Sequence, residues 1–359
     1  MTIFTRYIAS IQIRLLMLCY GAFASIYLVI DILERVGKLT RSGGRPDQIL
    51  LFFLWKLPEI SIQIIPLAVL MATLLALGSL SRTSEITAMR CSGAGLLRIT
   101  APLLGIALVA SLINLALSEI VVPSSFEKMR YIEEVQIKKK NPNTFFRQGA
   151  IWYRDHRDIL NARMFDPDTA TLRGITIWQV GENLQPIARI EATEGKLQGD
   201  SWQLSKAILY RYSSSGITQS TKKAGMKAEI KLSTTDLKTV GKLAENMGFV
   251  DLYNYCDNLQ KGGYDPTRYL TLLHAKLAAP FSPIVMAFLA IPFSIRTGRS
   301  SGPAIGIGLS LVIGLAYFIV NAFLISFGQA GALPPLVSAW AANIIFCAIG
   351  IWLALTINR

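Results

Sequence analysis

The side chains that could carry out chemistry are few in this chain, and they lie far apart. The histidines and cysteines are His156, His274, Cys19, Cys91, Cys256 and Cys347. Neither histidine has a cysteine nearby, and three of the cysteines lie in or beside apolar runs. A zinc site needs several such ligands together, and a disulfide framework needs several cysteines in one polar segment. The sequence therefore predicts neither.

Nucleotide chemistry is also missing from the pattern. A phosphate-binding loop reads GxxxxGK[ST] after a strand. The stretch GRSSG at 298–302 has no lysine after it, and no strand is expected before it. The sequence therefore predicts no catalytic residue, no cofactor and no nucleic-acid partner, and it predicts that the chain does not hydrolyse ATP itself. If the chain moves anything, the energy must come from a partner.

The acidic residues argue against an ion-coupled carrier. Outside residues 119–268 they are Asp31, Glu34, Asp47, Glu59 and Glu85. None of them lies in the middle of an apolar run. Because ion-coupled carriers usually need a carboxylate near the middle of the bilayer, the sequence disfavours a secondary transporter.

A polar island at 81–95, SRTSEITAMRCSGAG, separates two long apolar runs. Thr83 or Ser84 can cap a helix with Glu85 in its first turn, and Gly93 is a natural end for it. This helix, near 84–91, has about two turns and is too short to be stable alone, so we expect it to be docked. It is either a tight cytoplasmic turn between two spans or a docking helix that a cytoplasmic motor grips and moves.

The apolar runs predict a membrane protein. The chain has 359 residues, 52% hydrophobic and 16% charged, with a net charge of +13 and a mean hydropathy of +0.42, which is unusually apolar for a soluble domain. The runs long enough to cross a bilayer lie near 11–30, 57–80, 96–117, 269–295, 304–327 and 336–356. The predicted organisation is a membrane α-helical protein, with three transmembrane helices in 1–118, an extramembrane domain in 119–268 and three transmembrane helices in 269–359.

The middle segment has the pattern of an all-β domain. It begins like a helical stalk and continues in short stretches rich in β-branched and aromatic residues. These are 151–155, 158–165, 174–180, 186–195 and 201–212. Turn residues separate them, which predicts an antiparallel sandwich or open barrel. We expect a loose loop at 213–228, a further strand at 227–233 and a short surface helix at 249–260.

The distribution of basic residues gives an orientation. Short segments on the side of both termini carry Arg6, Arg14, Arg82, Arg90, Arg98, Arg296, Arg299 and Arg359. The positive-inside rule makes this side cytoplasmic, so the β domain is expected outside. Residues 31–56 break the rule, because they are basic and lie on the outer side. They are either a solvated loop with incidental charge or a site for an anionic ligand at the outer leaflet.

These features resemble the LptF/LptG family, the permeases of the lipopolysaccharide-export ABC transporter. The most specific part is the motif S-R-x-S-E-x-x-x-M-x-x-S-G between predicted helices two and three, which here spans 81–93. The stretch QGAIWYRD at 148–155 and the spacing of the C-terminal spans look more like the LptG branch than the LptF branch.

The resemblance implies a setting for the chain. It implies a permease of the bacterial inner membrane that pairs with an LptF-type permease and is driven by a cytoplasmic dimer of an LptB-type ATPase. It implies a periplasmic domain similar to a β-jellyroll, inserted between helices three and four. It also implies a membrane-anchored LptC-type protein and a periplasmic bridge protein as partners, with lipopolysaccharide as the cargo passed on for outer-membrane biogenesis.

The resemblance also implies roles for individual residues. ATPase coupling would involve Arg82, Ser84, Glu85, Met89, Arg90 and Gly93, and the lipid head group would contact Arg35, Lys38, Arg41 and Arg130. We expect acyl chains to meet spans one and five, where Phe318, Phe323 and Phe327 either line the cavity or simply pack. Two alternatives stay open: a permease of an ABC exporter with another lipid cargo, and a membrane-anchored scaffold whose β domain does the work.

Overall fold

The computed structural model describes residues 3–138, 144–147, 150–155, 158–166, 171–181, 185–198, 201–213, 216–228, 247–261, 265–297 and 303–357. The chain divides into two compact units. The first unit combines Met1–Lys138 with Thr271–Arg359, and the second is Lys139–Leu270. The first unit contains the apolar helices, and the second contains all seven strands that the structure describes.

The helices are α1 (Ile3–Arg41), α2 (Pro46–Arg82), α3 (Glu85–Cys91), α4 (Leu96–Ala116), α5 (Val122–Tyr131), α6 (Phe249–Lys261), α7 (Thr267–Ala278), α8 (Ser282–Thr297), α9 (Pro303–Gln329) and α10 (Pro335–Ile357). Wide helical turns at Leu117–Val121 and Ile132–Ile137 continue α4 into α5 and extend α5, and a tight turn at Ala279–Phe281 joins α7 to α8. In the described residues, six helical segments are long and apolar enough to cross a membrane. The prediction of six spans and the prediction of a helical stalk after span three are both confirmed.

The first two spans are much longer than their apolar runs. α1 has 39 residues and α2 has 37, so each measures more than about 55 Å, whereas the hydrocarbon core is about 30 Å thick. Residues 31–56, for which a solvated loop was one expectation, are helical except for a turn at 42–45. The expectation of a loop is wrong, because two glycines are enough to reverse the chain between the helices. Gly43 adopts φ +90°, and Gly44 lies where a Cβ would be 2.9 Å from the carbonyl oxygen of Leu39.

Polar contacts join α1 to α2 at three heights. Gln12 donates to Thr73 at 2.9 Å, Tyr20 and Ser61 share a hydrogen bond of 2.6 Å, and Lys56 donates to Asp31 at 2.6 Å. In a hydrocarbon environment few other groups can satisfy these side chains. The two helices are therefore held together as one antiparallel pair along their length.

An apolar cluster covers the ends of α1 and α2 that adjoin the Gly43–Gly44 turn. Leu39 from α1, together with Phe52 and Phe53 from α2, packs against Met129 and the turn that follows α5. The ammonium of Lys128 also lies 4.0 Å from the centroid of the Trp55 ring, a favourable cation–π geometry. Burial of this surface fixes the stalk after span three against the α1–α2 pair.

The rest of the bundle is packed through small residues. A Cβ on Gly328 of α9 would lie 2.5 Å from the Cβ of Ser338 on α10, and one on Gly350 of α10 would lie 2.9 Å from the Phe288 ring of α8. Such close approach is typical of membrane helices. In contrast, α1 buries only five of its residues (Ile8, Gln12, Cys19, Asp31 and Leu39), and α9 also leaves most of its apolar surface exposed.

The second unit is an antiparallel sheet followed by a helix. Its strands are β1 (Thr144–Arg147), β2 (Ala150–Asp155), β3 (Asp158–Asp166), β4 (Thr171–Val180), β5 (Pro186–Gln198), β6 (Ser201–Ser213) and β7 (Gly216–Ala228). They pair in chain order. The expected antiparallel β domain and the helix near 249–260 are confirmed. Among the described strands the order is a meander, without the Greek-key crossover of a jelly roll.

One element of the sheet was predicted wrongly. Residues 213–228 were expected to form a loose loop, but β7 occupies most of them and pairs with β6 from Trp202↔Ala228 to Ser213↔Gly216. Their serine, lysine and glycine content suggested a loop, and pairing with a neighbouring strand outweighed that local preference. The strand expected at 227–233 lies mostly outside the described residues.

The core of the sheet lies on one face. Leu160, Ile175, Ile177, Ile190 and Leu204 are each at most 2% exposed, and Trp202 is the largest side chain among them. The alternation of these residues along the strands gives the sheet one buried apolar face.

Candidate functional site

The short helix α3 ends in a well-defined cap. Gly93 has φ +88°, its N–H donates to the carbonyl of Arg90, and the N–H of Ala94 donates to the carbonyl of Met89, both at 3.0 Å. This pair of bonds is the Schellman motif. The glycine end that the sequence predicted is therefore confirmed.

The start of α3 differs from the expectation. Ser84 occupies the cap position with φ 61° and makes no side-chain cap bond. The hydroxyl of Thr83 instead donates to the carboxylate of Glu85 at 2.7 Å, and Glu85 also interacts with the phenol of Tyr7 on α1. The prediction that Thr83 or Ser84 caps the helix through its side chain is wrong, because the left-handed backbone at Ser84 turns the chain there.

α3 is docked, as its length required. Met89 is 6% exposed, and it lies in one apolar cluster with Ile8 of α1, Leu77 and Leu80 of α2, and Ile291 of α8. Residues of α4 complete the cluster. The anchor of α3 therefore touches the ends of four spans at once.

The opposite face of α3 is open. Arg82, Ser84, Arg90 and Gly93 are exposed, and Glu85 is half-buried. Within the described part of the chain, neither Arg82 nor Arg90 has an ion-pair partner. The structure thus places five of the six predicted coupling residues on an accessible strip, while Met89 anchors the helix from beneath.

The basic residues at the end of α1 fall into two groups. The Nε of Arg35 lies 3.0 Å from Asp31, so Arg35 is held by a carboxylate of its own helix. Lys38 and Arg41 are exposed, and no carboxylate in the described residues pairs with them. Arg130 is half-buried and follows Met129, which packs in the same cluster as Leu39. Of the four predicted head-group residues, Lys38 and Arg41 are the two that an anion can reach without displacing a protein partner.

A buried ion pair in this region was missed from the sequence. Lys56 and Asp31 lie 2.6 Å apart with side chains only 5% and 9% exposed. The spacing in the sequence could have indicated this pair, because Asp31 lies twelve residues before Gly43 and Lys56 lies twelve residues after Gly44. In a helical hairpin with its turn at these glycines, the two residues face each other.

The span formed by α7 and α8 is broken in the middle. Pro280 and Pro283 have no N–H, and the N–H of Ser282 bonds to the carbonyl of Ala279 instead of that of Ala278. Side chains bond to carbonyls around this break: Asn343 donates to Ala278 at 2.8 Å, Ser282 donates to Ala279 at 2.7 Å, and Ser111 of α4 donates to Pro280. The break is thus satisfied by polar side chains, as membrane proteins require.

A cavity of about 280 Å³ adjoins this break. α2, α7, α8, α9 and α10 contribute its walls, and Phe318 is one of its lining residues. Phe323 and Phe327 do not line it, and they are 62% and 51% exposed. The structure therefore separates the three predicted phenylalanines: one lines a cavity, and two lie on the outer surface of α9.

Comparison with known proteins identifies the family. The family described as "Lipopolysaccharide export system permease LptF/LptG" matches residues 6–356. The chain belongs to the LptF/LptG family. Among curated relatives, the lipopolysaccharide export system permease protein LptG of Escherichia coli K12 is 22% identical over 356 residues, which cover 97% of this chain and 96% of that protein. The protein of the same name from Haemophilus influenzae KW20 is 22% identical over 293 residues, or 80% of each chain.

The family match and the six spans agree with each other. The chain is a multi-pass membrane protein of the LptF/LptG family, and both relatives are named as permeases. In the described residues no group of three or more histidine, cysteine or acidic side chains could hold a metal ion. The candidate functional features of this chain are the docked helix α3, the basic end of α1 and the cavity beside the broken span.

Proposed function

We propose that this chain is the LptG-type permease subunit of an inner-membrane ABC transporter that extracts lipopolysaccharide and passes it to a periplasmic bridge. The observation that carries the proposal is the docked α3, whose accessible strip bears the family motif. The full-length match to the family and the LptG names of the relatives support it. Its partners would be an LptF-type permease, a dimer of a cytoplasmic LptB-type ATPase and a membrane-anchored LptC-type protein.

The coupling step follows from the way α3 is anchored. A nucleotide-driven movement of the ATPase would push on the exposed strip of Arg82, Ser84 and Arg90. Because Met89 is packed among the ends of four spans, the push would reach α1, α2, α4 and α8 together. Packed interiors transmit such displacement because they are dense and nearly incompressible. In this mechanism the chain itself makes and breaks no covalent bond.

Glu85 would act as the recognition point of the strip. Thr83 and Tyr7 hold its carboxylate in place, so little side-chain entropy is lost when a partner arginine binds it. A charge-assisted hydrogen bond to an arginine is among the stronger polar contacts. The carboxylate is therefore prepared for a cationic partner.

The lipid-binding step would use the end of α1. Lys38 and Arg41 are exposed cations, and phosphate oxygens are strong acceptors for both side chains. The acyl chains would lie against the exposed apolar surfaces of α1 and α9, including Phe323 and Phe327. The β unit, on the periplasmic side in this proposal, would receive the lipid along its apolar face.

The decisive experiment replaces Glu85 by alanine in the assembled complex. Glu85→Ala is expected to weaken co-purification of the ATPase or to uncouple its ATP turnover from lipid release. Glu34→Ala, which removes an exposed carboxylate at the other end of α1, is the matched control and should leave both unchanged. Normal assembly and normal export by the Glu85→Ala complex would remove the coupling role.

Mass spectrometry of the gently extracted complex tests the cargo and the partners. Lipopolysaccharide together with an ATPase is the expected result. A different bound lipid with an ATPase would favour an ABC exporter of another cargo. Recovery of the chain with soluble partners but no ATPase would favour the scaffold alternative.

A further inference from the structure

The cavity beside the broken span has apolar walls and a closed polar floor. The floor is formed where the phenol of Tyr317 donates to Asn343 at 2.7 Å, while Asn343 donates to the carbonyl of Ala278. Tyr317 and Asn343 are 3% and 5% exposed. Their hydrogen-bonding groups are occupied by each other and by the backbone, so the floor needs no ligand to satisfy it.

Two other amides in the lining have no such arrangement. Gln63 of α2 and Asn321 of α9 both line the cavity, and within the described residues neither side chain has a hydrogen-bond partner. Asn321 lies one helical turn from Tyr317, on the same side of α9. Asn321 is half-buried and Gln63 is exposed, and an amide in a membrane span is unfavourable when it has no hydrogen-bond partner. The pair therefore calls for a polar group in the cavity.

The remaining walls restrict what can bring that group. Ile62, Pro66, Ala275, Phe318, Ile325 and Ala339 are apolar or small and belong to membrane spans. A ligand must therefore enter through the lipid phase or from the transport passage. The lining on α7 and α8 extends from Ala275 to Ser282, which corresponds to about 10 Å along the helix axis. A slot of this depth and a volume of about 280 Å³ suit a narrow, flexible chain rather than a head group.

We propose that this cavity binds one acyl chain that carries a hydroxyl group, with Asn321 and Gln63 as its hydrogen-bonding residues. The inference deepens the proposed function and rests on it for the origin of the lipid. A hydroxyl both donates and accepts, so it can bond to the oxygen of one amide and to the N–H of the other. An unsubstituted chain fills the same volume but leaves both amides unpaired. The site thus distinguishes hydroxylated chains from plain ones.

The test measures this preference directly. The full-length chain in nanodiscs is titrated with two fatty acids of equal length, one hydroxylated and one plain, by displacement of a fluorescent fatty acid. Two ordinary hydrogen bonds correspond to a preference of about tenfold for the hydroxylated chain. Asn321→Leu combined with Gln63→Leu is expected to abolish the preference while binding of the plain chain is kept or improved.

A matched control separates this effect from general damage. Asn114 on α4 also lacks a partner in the described residues, but it does not line the cavity. Asn114→Leu should keep the full preference. Retained binding of the plain fatty acid shows that the double variant is folded. Equal affinities in the unmodified chain, or an undiminished preference in the double variant, would overturn the inference.

The same experiments distinguish this inference from the proposed function. Crosslinking of lipopolysaccharide at Lys38 and Arg41 without any preference for hydroxylated chains would leave the proposed function intact and remove the acyl site. A preference for hydroxylated chains without crosslinking to lipopolysaccharide would retain the site and reject the proposed cargo.

Discussion

The buried pair between Asp31 and Lys56 predicts a large and specific loss of stability. The Asp31 carboxylate accepts from Lys56 at 2.6 Å and from Arg35 at 3.0 Å, both through the same oxygen. Its second oxygen is buried and has no partner in the described residues. Lys56→Met keeps the aliphatic length of the side chain but leaves the carboxylate with Arg35 alone.

The magnitude follows from burial. Removing one partner of a buried ion pair costs about 3–5 kcal/mol, and the value belongs at the lower end here because Arg35 remains. For a folded unit of this size, each kcal/mol lowers the midpoint of thermal unfolding by about 2–4 °C. Lys56→Met should therefore unfold roughly 6–12 °C earlier than the unmodified protein. Removing both charges, in Asp31→Asn with Lys56→Met, should restore most of the loss.

Thermal unfolding in one detergent, followed by tryptophan fluorescence, measures all the variants. Arg45→Gln is the control, because the exposed Arg45 and Asp47 lie 3.9 Å apart with side chains 77% and 72% exposed, and such pairs contribute little. An unchanged midpoint for Lys56→Met would refute the reasoning. A double variant as unstable as the single one would show that packing, not charge, holds this position.

Three further predictions address other parts of the chain. Reversing the charge of Lys38 and Arg41 should lower crosslinking of lipopolysaccharide by at least about tenfold, and crosslinking at the normal level would remove both residues from the site. Gly328→Ala should cost about 2 kcal/mol, measured as a lower unfolding midpoint, because its new Cβ would meet the facing α10 serine at 2.5 Å and overpacking is costly. Burial raises the pKa of Cys256 to about 11, so at pH 8 Cys256 should react with a maleimide far more slowly than the exposed Cys91. The reaction rate of Cys256 should rise about tenfold per pH unit up to that pKa. Equal rates for the two cysteines at pH 8 would contradict the burial of Cys256.

The sequence was sufficient for the spans because each needs a long apolar run. It was also sufficient for most of α3, since a glycine with positive φ is a local requirement that Gly93 meets. It failed at the ends of α1 and α2 that adjoin the Gly43–Gly44 turn. There the polar residues between 31 and 56 suggested a loop, but packing against Met129 and the turn after α5 keeps the chain helical. Long-range packing of this kind leaves no periodic signal in a polar segment.

The same limit applies to the site. The residue types of the basic cluster were visible in the sequence, but their availability was not, because it depends on which of them a carboxylate holds. Asp31 holds Arg35 and also Lys56, which lies 25 positions away, and only the hairpin geometry brings Lys56 to this carboxylate. The cavity was equally invisible, since its lining comes from five helices that are far apart in the chain.

The three polar links between α1 and α2 have a mechanical consequence. Helices joined near both ends and in the middle cannot slide or turn separately, so they tilt together as one rigid pair. The pair is about 58 Å long, and α3 follows directly from one of its ends. A tilt of about ten degrees about that end would therefore swing the opposite turn, with Gly43 and Gly44, through about 10 Å. A small movement at the α3 end therefore becomes a larger movement at this turn, close to the exposed Lys38 and Arg41.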